Sequence, residues 1–470
     1  MTTECTTQPI VLQAENDRTL VARFDGGTIC SDAGVILLKQ VEQATGIIRQ
    51  FAACFTDHRD PDLIDHTLYE LITQRVYALA LGYEDLNDHD VLRHDPLLAA
   101  LVGKKDPHME PLASKSTLNR LELTPVGADP NSRYKKIVVH RQDVDRFFVD
   151  AFIRSYDNPP ACIVLDLDAT DDPVHGDQLG KFFHGYYGHY CYLPLYIFCG
   201  DHLLCARLRP ADIDGSAGSV KELDRIVSQI RQAWPQVQII VRGDSGFCRE
   251  EIMAWCESHQ VDYVFGYPRS GWAKNARLIR EIELELAQAR EMAKATGQAA
   301  RVYKDFQYQT LSSWSCSRRV VGKAEVLPQG DNPRFVVTSL SSDQRPAQPL
   351  YEDLYCGRGE MENRIKEQQL YLFADRTSCA TMRANQTRLW FSSVAYMLLE
   401  ALRRVGLKGT DLAQATCQTI RLKLLKIGAQ IQVTVRKVWV RLSQSYPYQG
   451  LFRQIHENLT RSQRCHPLRC

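Results

Sequence analysis

The chain has 470 residues, 44% hydrophobic and 24% charged, with 57 Lys/Arg against 56 Asp/Glu. That composition excludes a disordered or fibrous protein, and the length suffices for two to four structural units with at least one large core. No run reaches 18 uncharged apolar residues, and the start MTTECTTQPIVLQAENDR lacks the basic-then-apolar order of a secretory leader, so a cytoplasmic protein with no membrane partner is expected.

Residues 1–155 read as a short extended start followed by helices. SDAGVILLKQVEQATGI opens on an N-cap at Ser31, and DPDLIDHTLYELITQRVYALALG has helical apolar spacing, with Pro61 near its start and Gly82 at its end. SKSTLNRLE, residues 114–122, fits a short DNA-reading helix or an ordinary capped one. From about residue 160 the pattern turns to strands. Ile163 to Asp168 is one; YCYLPLYIFC and HLLCARLRP follow as hairpin-like strands around a GDH turn. Then come an amphipathic helix in GSVKELDRIVSQIRQAW, a buried strand in VQIIVRGD, a helix in REEIMAWCESHQ and a strand in DYVFGYP. The order β-β-β-α-β-α-β predicts a mixed sheet with helices packed on it.

Residues 273–300 read as one charged helix, followed by strands in RVYKDFQYQTL, SCSRRVVGKAEVL and PRFVVTSL, a β-rich insertion over 273–345. A long helix from about 348 to 371 and a buried one in RANQTRLWFSSVAYMLLEALRR fill 346–405. The last stretch, 406–470, holds a helix in TDLAQATCQTIRLKLLK and the alternating run AQIQVTVRKVWVRLS, which suits a basic β-hairpin. Charge is uneven here: Ala401 to Cys470 carries 13 Lys/Arg against Asp411 and Glu457, within a chain of net charge +1. Such a tail is an electrostatic footprint for nucleic acid, a solvated basic surface being the plainer alternative. The 15 cysteines are scattered without a C-x-x-C pair or a clustered His/Cys set, so reduced thiols are expected and a zinc site is not.

ACIVLDLDATDDP, residues 161–173, runs an apolar strand into four aspartates. Like charges that close cost stability unless they are solvated apart or share a cation, which suggests a metal site. VQIIVRGDSGF repeats the design with Asp244. Two strands ending in carboxylates can place both at one sheet edge, where open α/β-type sheets bind ligands, although either aspartate alone is more often a turn residue or cap. A third contributor is the helix YCGRGEMENRIKEQQ, on which Arg358, Glu362 and Lys366 form a stripe within about 80° of arc while Glu360 falls on another side. An exposed helix stabilised by i,i+4 charge pairs is the structural alternative.

Asp168-Ala-Thr170 after one strand, Asp244 after another and Tyr355-x2-Arg358-x3-Glu362 on a helix resemble the DDE transposases of bacterial insertion sequences, within the group bearing a Tyr-Arg-Glu-Lys signature. The resemblance implies an α/β fold: a ribonuclease H-like mixed sheet with flanking helices over 156–272 and 346–405, interrupted by the β-rich insertion. It adds a mainly helical N-terminal region, 1–155, for DNA-end binding or dimer contacts, and a basic C-terminal region. Asp168, Asp244 and Glu362 would be catalytic and hold two Mg2+ ions about 4 Å apart, with Mn2+ as a substitute. DNA would be cut at the transposon's terminal inverted repeats, and the freed 3′-OH would attack target DNA. Tyr355, Arg358 and Lys366 would hold phosphates, and Trp314 would either stack on a displaced base of a hairpin intermediate or be a buried structural residue. A homodimer on double-stranded DNA and a place on the bacterial nucleoid are further expectations. The signature's lysine would fall at Gln369; Lys366, one turn after Glu362, is the other basic candidate, and its role stays open.

LDLDAT also satisfies the D-x-D-x-T pattern of haloacid-dehalogenase-like phosphatases, with Asp166 as nucleophile, Asp168 as acid/base and Thr170 as a phosphate contact. That reading needs a later acid at 248, where the chain has Cys248, and leaves the Tyr-Arg-Glu stripe and the basic tail unexplained.

Overall fold

The computed structural model describes residues 9–13, 18–107, 109–268 and 276–465. The chain forms two compact units, one of Met1–Ala52, Arg59–Leu121 and Ala401–Cys470, the other of Ala53–His58 and Glu122–Glu400.

The second unit is built on a nine-stranded mixed sheet. Its strands are β1 (Cys162–Ala169), β2 (Leu195–Cys199), β3 (His202–Arg207), β4 (Gln238–Gly243), β5 (Asp262–Gly266), β6 (Ala300–Tyr308), β7 (Arg318–Leu327), β8 (Gly330–Asp331) and β9 (Arg334–Thr338). They lie in the order β3-β2-β1-β4-β5-β9-β7-β6, with β8 paired to β7. β2 runs antiparallel to β1 and β3, whereas β1, β4 and β5 are mutually parallel. The helices are α1 (Arg141–Arg154), α2 (Ser219–Ala233), α3 (Glu250–Ser258), α4 (Glu283–Thr296), α5 (Gly359–Lys366) and α6 (Met382–Ala401).

Strand alternation sorts side chains onto two faces. Leu165, Leu167, Val241, Tyr263 and Phe265 pack against Leu223, Ile226 and Ile230 of α2 and Ile252 and Met253 of α3. Ile240, Val264 and Val336 pack on the other face against Leu350, Tyr351 and Leu354. Each such side chain contributes about 1.5–3 kcal/mol by leaving water. The same alternation assigns Asp166, Asp168, Arg242 and Asp244 to the second face, the one covered by residues 350–354.

Several expectations change in detail. YCYLPLYIFC is two strands, because Pro194 has no N–H to give a ladder: His189–Tyr192 joins a small sheet with Asp172–Pro173 and Phe182–His184, and β2 begins at Leu195. The helix read over 273–300 is Ala276–Glu281 followed by α4, with 273–275 outside the described residues. The three strands after it are not set apart but extend the core sheet beyond β5. Arg318 of β7 ties that extension to α3 through Glu250 and Glu257, both at 2.6 Å.

In the first unit, Leu68–Leu81 starts at a Thr67/Glu70 capping box and stops at Gly82. Val35–Thr45 is not capped by Ser31, whose hydroxyl instead donates to Asp32, itself held by Lys426 and Tyr83. The basic hairpin forms as Ala429–Val433 and Val438–Leu442, with Ile29–Cys30 as a third strand, and the chain closes on the helix Gln449–Cys465. Leu424, Leu425, Ile427 and Ile431 are buried, so this tail is part of a core. Among the described residues no helix is long and apolar enough to cross a membrane, and the cysteines are free thiols, most of them buried.

Candidate active site

Parallel pairing of β1 with β4 sets Gly243 beside Leu167, so the next residue of each chain, Asp244 and Asp168, leaves the two neighbouring strand ends at one level. Strands lie about 4.8 Å apart, which makes these carboxylates neighbours by construction. Asp168 accepts from the Ala169 N–H at 2.9 Å, and Asp244 caps the turn Ser245–Phe247 by accepting from Gly246 at 2.8 Å.

Glu362 arrives from a helical run that covers this face. Wide π-type turns over Leu350–Tyr355 and a 3-10 turn over Cys356–Arg358 precede α5, so the expected long helix is continuous but not uniform. From Arg358 onward it is regular enough for the i,i+4 pair: Arg358 Nη2 lies 2.7 Å from Glu362 Oε1, and Nη1 lies 3.8 Å from Asp168 Oδ2. One guanidinium therefore spans the two acids. The pair is not just a solvated helix pair, because Arg358 also reaches the strand end. Glu360 and Lys366 are exposed.

Arg242, a residue outside the candidates drawn from the sequence, fixes the run in place. It grips Asp166 with Nε and Nη2, the latter at 2.8 Å, while Nη1 donates to the Leu354 carbonyl. β1, β4 and the covering segment are thus joined by one buried side chain. Two glycines allow the approach: a Cβ on Gly357 would stand 2.7 Å from Arg242 Nη1, and one on Gly266 would stand 2.4 Å from the Tyr355 hydroxyl. Tyr355 consequently sits over the end of β5. Burial and the nearby Asp244 push its hydroxyl up, against the Arg358 charge.

The four aspartates at the end of β1 and just after it separate into distinct environments. Asp166 is buried in the Arg242 fork. Asp171 lies 2.6 Å from His189 Nε2, and the fully buried Asp172 accepts from Gln369 at 3.1 Å. Gln369 thus ties the end of the helical run to the loop after β1. Asp168 faces the carboxylates of Asp244 and Glu362. Burial chiefly, then Asp244 and Glu362, push it up to about 7 against the pull of Arg358.

These donors are hard oxygens around a half-buried carboxyl, a set that fits Mg2+ or Mn2+ rather than zinc. Among the described residues no three His, Cys, Asp or Glu side chains form an ion-holding group as they stand. Arg358 supplies the positive charge between Asp168 and Glu362. Trp314 is 7% exposed and packs on Tyr267 and Tyr308 at ring distances of 6.0 and 5.8 Å, inside the main core and beneath the surface a displaced base could reach.

The Asp168 shift has a measurable consequence. The metal-free folded state keeps a proton that the unfolded chain releases near the ordinary value of 3.8, so its contribution to stability is full below that value and is lost as pH rises towards 7. In EDTA, Asp168→Asn should gain stability relative to wild type between about pH 4 and 7. Urea midpoints test this, and a pH-independent difference would contradict it.

A family model described as transposase DDE domain, group 1, matches residues 12–464. The chain belongs to this family of DDE transposases. Transposition is the activity the family suggests, DNA is the partner it implies, and its members generally use divalent metals. No curated protein matches the sequence.

Proposed function

We propose that this chain cuts DNA strands at transposon ends and joins the freed 3′ ends to target DNA, in a magnesium-dependent reaction at Asp168, Asp244 and Glu362. The carrying observation is the convergence of three remote segments: two level strand ends and a helix whose Arg358 bridges Asp168 and Glu362. A ribonuclease H-like core is supported by the strand order β3-β2-β1-β4-β5, with only β2 antiparallel to its neighbours.

When bound, divalent ions would supply an activated water and charge neutralisation on the attacking and leaving oxygens. Asp168, whose carboxyl feels the charges of both Asp244 and Glu362, would be a shared ligand of the ions. Arg358 presents a planar fork suited to phosphate, and Tyr355 offers a hydroxyl at the same edge. Residues 1–155, together with 406–470, would provide end binding and dimer contacts, since joining two ends requires at least two copies while engaged; the protein would act on the nucleoid.

The phosphatase alternative meets a specific obstacle. Its nucleophile would be Asp166, which is buried and locked in the Arg242 fork. The test is direct: duplex DNA bearing the element's terminal repeats should be cleaved with Mg2+ or Mn2+ and left intact in EDTA, with p-nitrophenyl phosphate untouched. Hydrolysis of the phosphate ester without DNA cleavage would overturn the proposal.

The basic tail can be tested without deleting core. Arg421 is buried on the Leu79 and Ala80 carbonyls and Arg403 is buried on that of Ala415, so these hold the fold. Arg436, Lys437 and Arg441 on the hairpin are exposed. Changing all three to Ala should weaken binding at low salt and flatten the log–log salt slope by about 0.9 for each phosphate no longer neutralised. An unchanged slope would mark the hairpin as a solvated surface.

A further inference from the structure

The small sheet that follows β1 is not used by the chemistry above, and its exposure is unusual. Phe182–His184 pairs with His189–Tyr192, Phe183 opposite Tyr190, around a turn of Gly185, Tyr186, Tyr187 and Gly188. Tyr186 is 87% exposed, Phe183 57% and Tyr190 52%. A tip of this kind ordinarily carries small polar residues, and leaving three aromatic rings in water marks a contact surface. Phe183 and Tyr190 meet edge to face at 5.7 Å, and Lys181 holds its ammonium 5.4 Å from the Tyr190 ring. The hairpin is rooted at the proposed reaction centre: Tyr187 donates to the Ala169 carbonyl at 3.4 Å, one residue from Asp168, and His189 pairs with Asp171.

We infer that this hairpin is a base-stacking platform, binding nucleobases that have left the duplex beside the phosphate being cut. This rests on the DNA-cleavage reading above. Three features favour this occupant. Aromatic faces accept any base without hydrogen-bond readout, so they suit a site where bases are unpaired rather than read. Lys181, held by Asp177 at 2.9 Å and by the Gly176 carbonyl, fixes a cation against the Tyr190 ring at the platform edge. The attachment to Ala169 keeps the rings within a few residues of the cut. Stacking on a displaced base, expected of Trp314, thus falls to exposed rings that can reach one.

The probe is a forked DNA, a duplex with unpaired arms carrying 2-aminopurine, set against the fully paired duplex of the same sequence, both titrated in EDTA by anisotropy and 2-aminopurine fluorescence. The wild type should prefer the fork and quench the probe. The double variant Phe183→Ala/Tyr186→Ala, altered only at exposed positions, should lose about tenfold or more in fork affinity for each base that no longer stacks, with duplex affinity unchanged. Equal fork binding and quenching by variant and wild type would overturn the inference. So would a variant that binds the fork normally but no longer self-associates in size-exclusion chromatography, which would assign the rings to a second copy. Wild-type cleavage with Mg2+ is measured in parallel: its absence would sink the catalytic proposal, whereas normal cleavage with no fork preference would sink only the platform.

Discussion

Glu362→Gln is expected to reduce strand cleavage by roughly a thousandfold or more, because the proposal makes this carboxylate an ion ligand worth several kcal/mol of charge stabilisation, at about 1.4 kcal/mol per factor of ten. Binding of terminal-repeat DNA should change little, since duplex affinity comes mainly from cationic contacts to phosphate. The informative comparison is Glu360→Gln, which removes the same charge two residues away. Glu360 is exposed and outside the Arg358 bridge, so its replacement should leave cleavage within a few-fold of wild type. Single-turnover cleavage of labelled ends measures both. Equal losses would mean that removing charge from this helix, rather than a ligand, is what matters.

The largest stability effect should come from Arg242→Met. This change leaves the Asp166 carboxylate buried without its fork, a situation that costs about 3–5 kcal/mol. It also strips the Leu354 carbonyl of its donor, for about 1–3 kcal/mol more. Adding Asp166→Leu should recover most of the first cost, because an apolar pair of similar volume can replace a buried ion pair. The second cost should remain. Urea unfolding of the wild type, the single variant and the double variant separates the terms. A single variant losing under about 1 kcal/mol would show that the fork does not brace the unit. The brace also bears on function, since the Leu354 contact immediately precedes Tyr355 and Arg358.

The order of strands and helices in the second unit was legible because buried parallel strands and amphipathic helices have distinct periods. The Arg358–Glu362 pairing was legible for the same reason, as the regular helix begins at Gly359, directly after Arg358. Less was visible where tertiary contacts decide. Ser31 looks like a cap until Asp32 is found holding Lys426, a partner from the far end of the chain. The tail's charge count mixed exposed Arg436 and Lys437 with Arg403 and Arg421, which are buried and structural. Arg242 did leave a trace: an arginine inside the apolar run VQIIVRG requires a buried acid, and Asp166 in IVLDLDA was the available partner. The split of the aspartates among Arg242, Arg358, His189 and Gln369 could not be read from their spacing, because their partners come from β4, the small sheet and the helical run over 350–371.

The meeting of Asp168, Asp244 and Glu362 around divalent ions is tested most directly by anomalous scattering from crystals soaked in Mn2+. The proposal predicts manganese peaks within coordinating distance of oxygens from all three side chains, with Arg358 moved off Glu362 to make room. Manganese bound elsewhere, or held by only one of the three, would contradict it.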